Sequence, residues 1–172
     1  VYETLNINMH QGDLYQHSVW VALYIQRQFT ENTVWAQGIP GEFRDLCVIS
    51  GFLHDIGKAG DLAFTYYDKP EHPETGFEYI TGAKFYSLSG GGGVLDIDKL
   101  LRDININNKF KNVLAFLILS HWEFGAHIRR MNDRNALKIA GEYAGKLKQM
   151  WGRSGLVPTS RGDEILLVNM AI

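Results

Sequence analysis

An all-α domain is what this sequence predicts, on three observations. Apolar residues recur with the helical period along the chain, and strict apolar–polar alternation is scarce. The four prolines, at 40, 70, 73 and 158, fall at the edges of the periodic segments, where a missing backbone N–H does least damage. The 172 residues, 45% of them apolar or aromatic, suffice for one domain that buries about two thirds of its unfolded surface without staples.

The elements follow in order. LYQHSVWVALYIQRQF, 14–29, comes after Asp13, a plausible cap, and carries the stripe His17, Trp20, Val21 and Tyr24, so His17 faces the apolar side. EFRDLCVISGFLHDIG, 42–57, predicts a buried helix ending at Gly57. Residues 60–72 read as a loop, and HPETGFEYITG, 72–82, as a short helix with Pro73 in its first turn. SGGGG, 89–93, lacks the lysine and spacing of a phosphate loop and reads as a connector. Residues 96–104 predict a short helix. FKNVLAFLILSHW, 110–122, is apolar nearly all round, as befits a central helix. Residues 133–151 are amphipathic, with an expected stripe of Leu137, Ala140, Tyr143, Ala144, Leu147 and Trp151. A loop over 152–162 leads into GDEILLVNMAI, the opening of a last helix. No repeat or linker divides the chain, so residues 1–172 read as a single domain.

Composition excludes several classes. Seventeen basic and nineteen acidic residues leave a formal net charge of −2, which gives no general pull toward nucleic acid or anionic membrane. The longest aliphatic run, VLAFLIL at 113–119, is far too short to span a bilayer. The single cysteine, Cys47, allows no internal disulfide, and a reducing, cytoplasmic setting is expected.

Chemistry concentrates in the histidines. Four of the six, His17, His54, His72 and His121, fall near helix ends or on apolar faces, one on each of four predicted helices, and His54 adjoins Asp55. Any one alone is better read as a satisfied core histidine. Four of them beside one buried aspartate would be an expensive accident. Helices in a bundle can each point one ligand into a shared pocket. Imidazole with carboxylate suits Fe, Mn, Zn or Co better than Mg or Ca.

The set His17, His54-Asp55-Ile56-Gly57-Lys58, HPETG at 72–76 and SHWE at 120–123 resembles the HD superfamily of metal-dependent phosphohydrolases, in its two-metal branches such as the HD-GYP phosphodiesterases. The resemblance spans residues 14–125. It implies an HD-domain helical bundle with a central site for two divalent transition metal ions (Fe, Mn, Zn or Co). His17, His54 and Asp55 would hold the first metal, Asp55 would bridge, and His72 and His121 would complete the second. Two such metals lower the pKa of a bridging water to give hydroxide at neutral pH, neutralise phosphoryl charge and hold the attack in line. Asp55 and Lys58 are the implied catalytic residues, with Lys58 reaching a substrate oxygen as a point charge. The bland reading of Lys58 is a solvated lysine after a helix end.

The implied activity is hydrolysis of a small-molecule phosphate ester, a nucleotide or cyclic nucleotide. The runner-up is a di-iron oxygenase of the myo-inositol oxygenase type. An HD-type nuclease is disfavoured by the mild acidity, a binding module without turnover is a further reading, and no membrane partner is expected. Two departures stand out. Trp122 occupies the place of a second histidine in HD-GYP enzymes, and no GYP element follows Glu123, so cyclic di-GMP hydrolysis is not supported. The final aspartate ligand of the family has no obvious match. Asp133 and Asp163 are late candidates, although both stand at helix starts, where capping is the simpler role. The chain opens on Val1 and stops at Ile172 inside an apolar run, so the expectation is a portion of a longer protein whose sixth ligand lies beyond Ile172. His10 and His127 are expected at the surface, Arg129, Arg130, Arg134 and Lys138 on a solvated basic face, and Tyr66, Tyr67 and Lys69 in a lid over the site.

Overall fold

A computed structural model describes residues 14–59, 71–87, 94–132 and 134–171. Among these the chain forms helices α1 (Leu14–Thr30), α2 (Val34–Gln37) and α3 (Gly41–Leu53), a 3-10 turn (Ile56–Lys58), then α4 (His72–Thr81), α5 (Ile97–Asp103), α6 (Asn108–Ile128), α7 (Ala136–Arg153) and α8 (Arg161–Ala171). The domain is all-α as predicted. One antiparallel bridge, Tyr86–Ser87 against Val94–Leu95, had no signal in the periodicity. No helix of the described residues is long and apolar enough to cross a membrane.

The centre is α6, whose residues 113–120 are buried without exception. A helix apolar on every side must be covered on every side, and α3, α4, α7 and α8 all pack on it. Local chemistry starts the helices where tertiary packing needs them. Asp96 accepts from the Lys99 amide at 2.8 Å and Asn107 from the Phe110 amide at 3.0 Å, each quenching an orphan donor in the first turn. Gly82 closes α4 at φ +79°, in the left-handed region that favours glycine. Arg153, in the last turn of α7, grips Glu74 through two parallel bonds, Nη1–Oε1 at 2.7 Å and Nη2–Oε2 at 2.5 Å. This fork ties α7 to the first turn of α4.

Helix α1 lies against α3 through Gly51, where a Cβ would stand 2.4 Å from Ile25 Cδ1 and 3.5 Å from the Ala22 backbone. The inward face of α1 is therefore Ser18, Val21, Ala22 and Ile25, and Trp20 and Tyr24 of the expected stripe stay 44% and 45% exposed. In α7 the expected stripe holds at Tyr143, Leu147 and Trp151 and fails at its other three positions. Ile139, Leu147, Met150 and Trp151 are buried, whereas Leu137 is 92% exposed and Ala140 and Ala144 face solvent. Alanines carry little apolar area and so little phase information; the large Met150 and Trp151 set the buried side. The predicted helix over 42–57 ends early, at Leu53. His54 keeps helical angles, but Asp55 turns out at φ −101°, ψ 11° and starts the 3-10 turn, where the Lys58 amide donates to the Asp55 carbonyl at 2.8 Å.

Candidate metal centre

The early end of α3 puts the site together. His17 comes from α1, His54 and Asp55 from the end of α3, His72 from the first position of α4, and His121 from the middle of α6. Their ligand atoms form two groups that share Asp55: His17, His54 and Asp55 in one, Asp55, His72 and His121 in the other. In the first, His17 Nε2 lies 3.1 Å from His54 Nε2, and the two stand 3.6 and 3.3 Å from Asp55 Oδ2. In the second, His72 Nε2 lies 2.9 Å from His121 Nε2, and the two stand 3.0 and 3.7 Å from Asp55 Oδ1. One carboxylate oxygen thus faces each histidine pair. The His54 and His121 rings meet edge to face, with centroids 5.3 Å apart, so the two groups adjoin.

Two backbone carbonyls fix the protons. His54 Nδ1 donates to the Gly51 carbonyl at 2.8 Å, and His121 Nδ1 donates to the Ile118 carbonyl at 2.6 Å. A carbonyl only accepts, so in the neutral rings the proton sits on Nδ1 and the Nε2 lone pair points into the site. This is the arrangement that orients metal-binding histidines elsewhere. Without a cation, the close Nε2 pairs need a shared proton between them. A divalent cation replaces that proton with one charge centre for two imidazoles and a carboxylate oxygen. The donor set therefore fits a divalent metal on each side of Asp55.

Asp55 is 3% exposed. Burial pushes its carboxyl group upward, but hydrogen bonds from His121, His54 and His72 outweigh that and hold it below the ordinary carboxylate range. Burial pulls His121 below the ordinary histidine value, against the pull of Asp55. Both directions favour the ligand forms, anionic carboxylate and neutral imidazole. Lys58 is not a solvated lysine. Its Nζ donates to Asp55 Oδ2 at 2.7 Å, and its side chain is only 16% exposed.

Several expectations lie elsewhere. Asp163 lies in the first turn of α8 and folds back on the residues before it: its Oδ2 accepts from the Thr159 amide at 2.9 Å, the Thr159 hydroxyl at 2.8 Å and the Ser160 amide at 3.0 Å. Those bonds hold its carboxyl below the ordinary range, and it is not part of the cluster. Asp133, His10, the SGGGG run and the lid residues Tyr66, Tyr67 and Lys69 fall outside the described residues. His127 is buried rather than at the surface. Its Nδ1 donates to the Glu123 carbonyl at 2.8 Å, and its ring packs on Tyr143. It stays outside the cluster, but α6 continues to Ile128 and α7 covers it. Glu123 turns the same way, toward His127 and Lys146, so the acidic end of SHWE is no ligand here. Arg130, Arg134 and Lys138 are exposed as expected, and Arg129 stacks its guanidinium on Trp122.

Sequence reasoning missed the contact between the two motif glycines. A Cβ on Gly57 would fall 1.9 Å from the His72 carbonyl oxygen and 2.7 Å from the Gly76 amide nitrogen. The glycines of HDIGK and HPETG let the 3-10 turn and the first turn of α4 touch backbone to backbone. That contact brings His72 up to Asp55.

The HD domain family profile matches residues 14–140. The match covers most of the chain and every residue of the cluster, and the chain belongs to the HD-domain family, within the superfamily of metal-dependent phosphohydrolases. No curated protein and no solved structure matches it.

Proposed function

We propose that this chain is a metal-dependent phosphohydrolase or phosphodiesterase that acts on a small nucleotide-like phosphate ester, with two divalent transition metal ions (Fe, Mn, Zn or Co) at the cluster. The observation that carries this reading is the sharing of Asp55, one oxygen to each histidine pair, with His54 and His121 held in the ligand tautomer. When bound, a metal pair supplies an activated water at neutral pH and neutralises charge on the phosphoryl oxygens. The protein's own contribution is position and charge. His17 and His54 form one wall, His72 and His121 the other, and Asp55 stays anionic between them. Lys58 brings a cation into hydrogen-bond reach of the shared carboxylate, from where it can turn to a phosphoryl oxygen of a bound ester.

Metal content after anaerobic purification, followed by hydrolysis assays with Mn, Fe, Zn and Co, tests the reading. Two equivalents per chain and hydrolysis of nucleotide esters are expected. Uptake of oxygen by the reduced iron form, with no phosphate ester cleaved, would replace it with the di-iron oxygenase reading, which the same donor set supports.

A further inference from the structure

Helix α1 buries one face against α3, and its opposite face is apolar too. Tyr15 is 68% exposed and Leu23 55%, beside the 44% and 45% of Trp20 and Tyr24. Phe52 of α3, 40% exposed, extends the patch, its ring edge-on to Tyr15 with centroids 6.3 Å apart. Side chains four apart on a helix line up as ridges. Tyr15, Val19 and Leu23 make one ridge on this face, and Gln16, Trp20 and Tyr24 make the next, with a groove between them.

The face also lacks charge. From Leu14 to Gln26, α1 has no lysine, arginine, aspartate or glutamate. Arg27 comes only afterwards, and its Nε donates to Glu31 at 2.6 Å. Helix α7, by contrast, exposes Lys138, Lys146 and Lys148, as a solvated helix does. Tyrosine and tryptophan without lysine, glutamate or aspartate is the composition of an interface core, not of ordinary surface. A helix that lies on a membrane carries lysine and arginine on its polar face, and α1 does not.

Size and charge together name the occupant. At about 200 Å² for a whole large side chain, the exposed fractions of the five apolar residues amount to roughly 500 Å² per copy. Two copies face to face cover about 1,000 Å² with these side chains alone, which is where specific interfaces begin. The polar neighbours Gln16 and Gln26, both exposed, add to that. A two-fold contact sets residues near the axis against their own copies, so a charged face repels itself. This face has no charge to repel.

We infer that α1 is a self-association face, on which a second copy of this chain docks about a two-fold axis near Trp20, midway along the patch. The ridges of each copy enter the groove of the other, with the helices crossing at about −50°. The inference is independent of the hydrolase reading.

Sedimentation equilibrium on the whole chain over a concentration series tests it. The weight-average mass of the parent is expected to rise from that of a monomer toward twice that value. Trp20→Glu and Trp20→Lys are each expected to weaken the association about thirtyfold, as loss of a central aromatic anchor does. An equimolar mixture of the two is expected to associate more strongly than either alone, because opposite charges then meet across the axis; loss of fold alone has no such rescue. Leu23→Glu, at a more exposed position, is a second variant expected to weaken the dimer. A parent that stays monomeric at every concentration would overturn the inference, and the face would then belong to another segment of the chain or, if the monomer pellets with vesicles of mixed neutral and anionic phospholipid, to a membrane. A dimer that survives Trp20→Glu and Leu23→Glu at parental strength would overturn it as well, since the copies would then meet elsewhere.

Discussion

Gly57→Ala should damage the site from a position that carries no ligand. The residue has no need of glycine for its own backbone angles; the need is space. An added Cβ falls 1.9 Å from the His72 carbonyl oxygen, where ordinary contact begins at 3.4 Å. The obstacle is backbone, so no side chain can rotate away. The first turn of α4 must retreat by about 1.5 Å to restore contact distance. His72 rides on that turn, and its Nε2 sits only 3.0 Å from Asp55 Oδ1 and 2.9 Å from His121 Nε2. A shift of that size breaks the second group and spares the first. Overpacking of this kind costs about 1–3 kcal/mol, or roughly 3–10 °C in Tm for a domain of this length. Misplacement by about 1 Å at a reacting centre lowers activity roughly a hundredfold. The assay is metal stoichiometry by mass spectrometry beside thermal unfolding of the metal-free protein. Gly57→Ala is expected to hold one equivalent of metal and lose the other. Gly76→Ala is the comparison, because its Cβ meets the Ile118 Cγ2 methyl at 2.8 Å, a longer approach than the 1.9 Å at Gly57 and one to a side chain instead of backbone. Gly76→Ala should therefore be milder on both counts. Two tightly bound metals in Gly57→Ala, or a Tm equal to the parent's, would refute the reasoning.

The remaining predictions follow from single groups. Asp55→Ala removes the oxygens that both histidine pairs face, so it should abolish activity and loosen both metals, whereas Lys58→Ala should keep them and lose turnover; equal metal loss in the two would make Lys58 structural. Cys47 is buried, and burial pushes its thiol up to about 12, so Ellman's reagent at pH 8 should find no thiol in the native protein and one after unfolding; rapid native labelling would contradict the burial. Asp98 is raised by burial but lowered more by Lys111 and Arg102, which both donate to it. A depressed folded pKa contributes stability above the unfolded value of about 3.8 and loses it as pH falls through the folded one. The stability gap between the parent and Asp98→Asn should thus be full at neutral pH and close in acid; a gap that widened below pH 4 would reverse the sign.

Helices were legible wherever large side chains kept the period. The segment 110–122 announced itself as central because no face of it is polar, and it is the buried heart of α6. The phase of α7 was only partly legible: Tyr143, Leu147 and Trp151 marked the buried side, but the small Ala140 and Ala144 were placed on it instead of Ile139 and Met150. His127 was misjudged because the end of α6 was placed short, and a cover that α7 supplies has no local trace. The five cluster residues were legible as a pattern of types and spacings. The carbonyls of Gly51 and Ile118, which set the tautomers, were not: every residue has a carbonyl, and only the fold decides which one a ring meets.

The pairing of His54 with Asp55 has a geometric answer. Adjacent residues on an α-helix point about 100° apart, so a helix running on to Gly57 would aim one of the two away from the shared pocket. The chain instead keeps His54 in the helix, where its Nδ1 reaches back to Gly51, and releases Asp55 into a turn. Released, the carboxylate swings between the two histidine pairs and meets Lys58, which the tight 3-10 turn returns to the same side. Gly57 allows that turn to press against α4, and α4 delivers His72. Each residue of HDIGK other than Ile56 thus has a separate reason to be what it is. Ile56 has one too: it packs against the hydrophobic core, near where a Cβ on Gly76 would lie, so the turn that exposes the polar groups to the site is pinned by an apolar side chain on its other face.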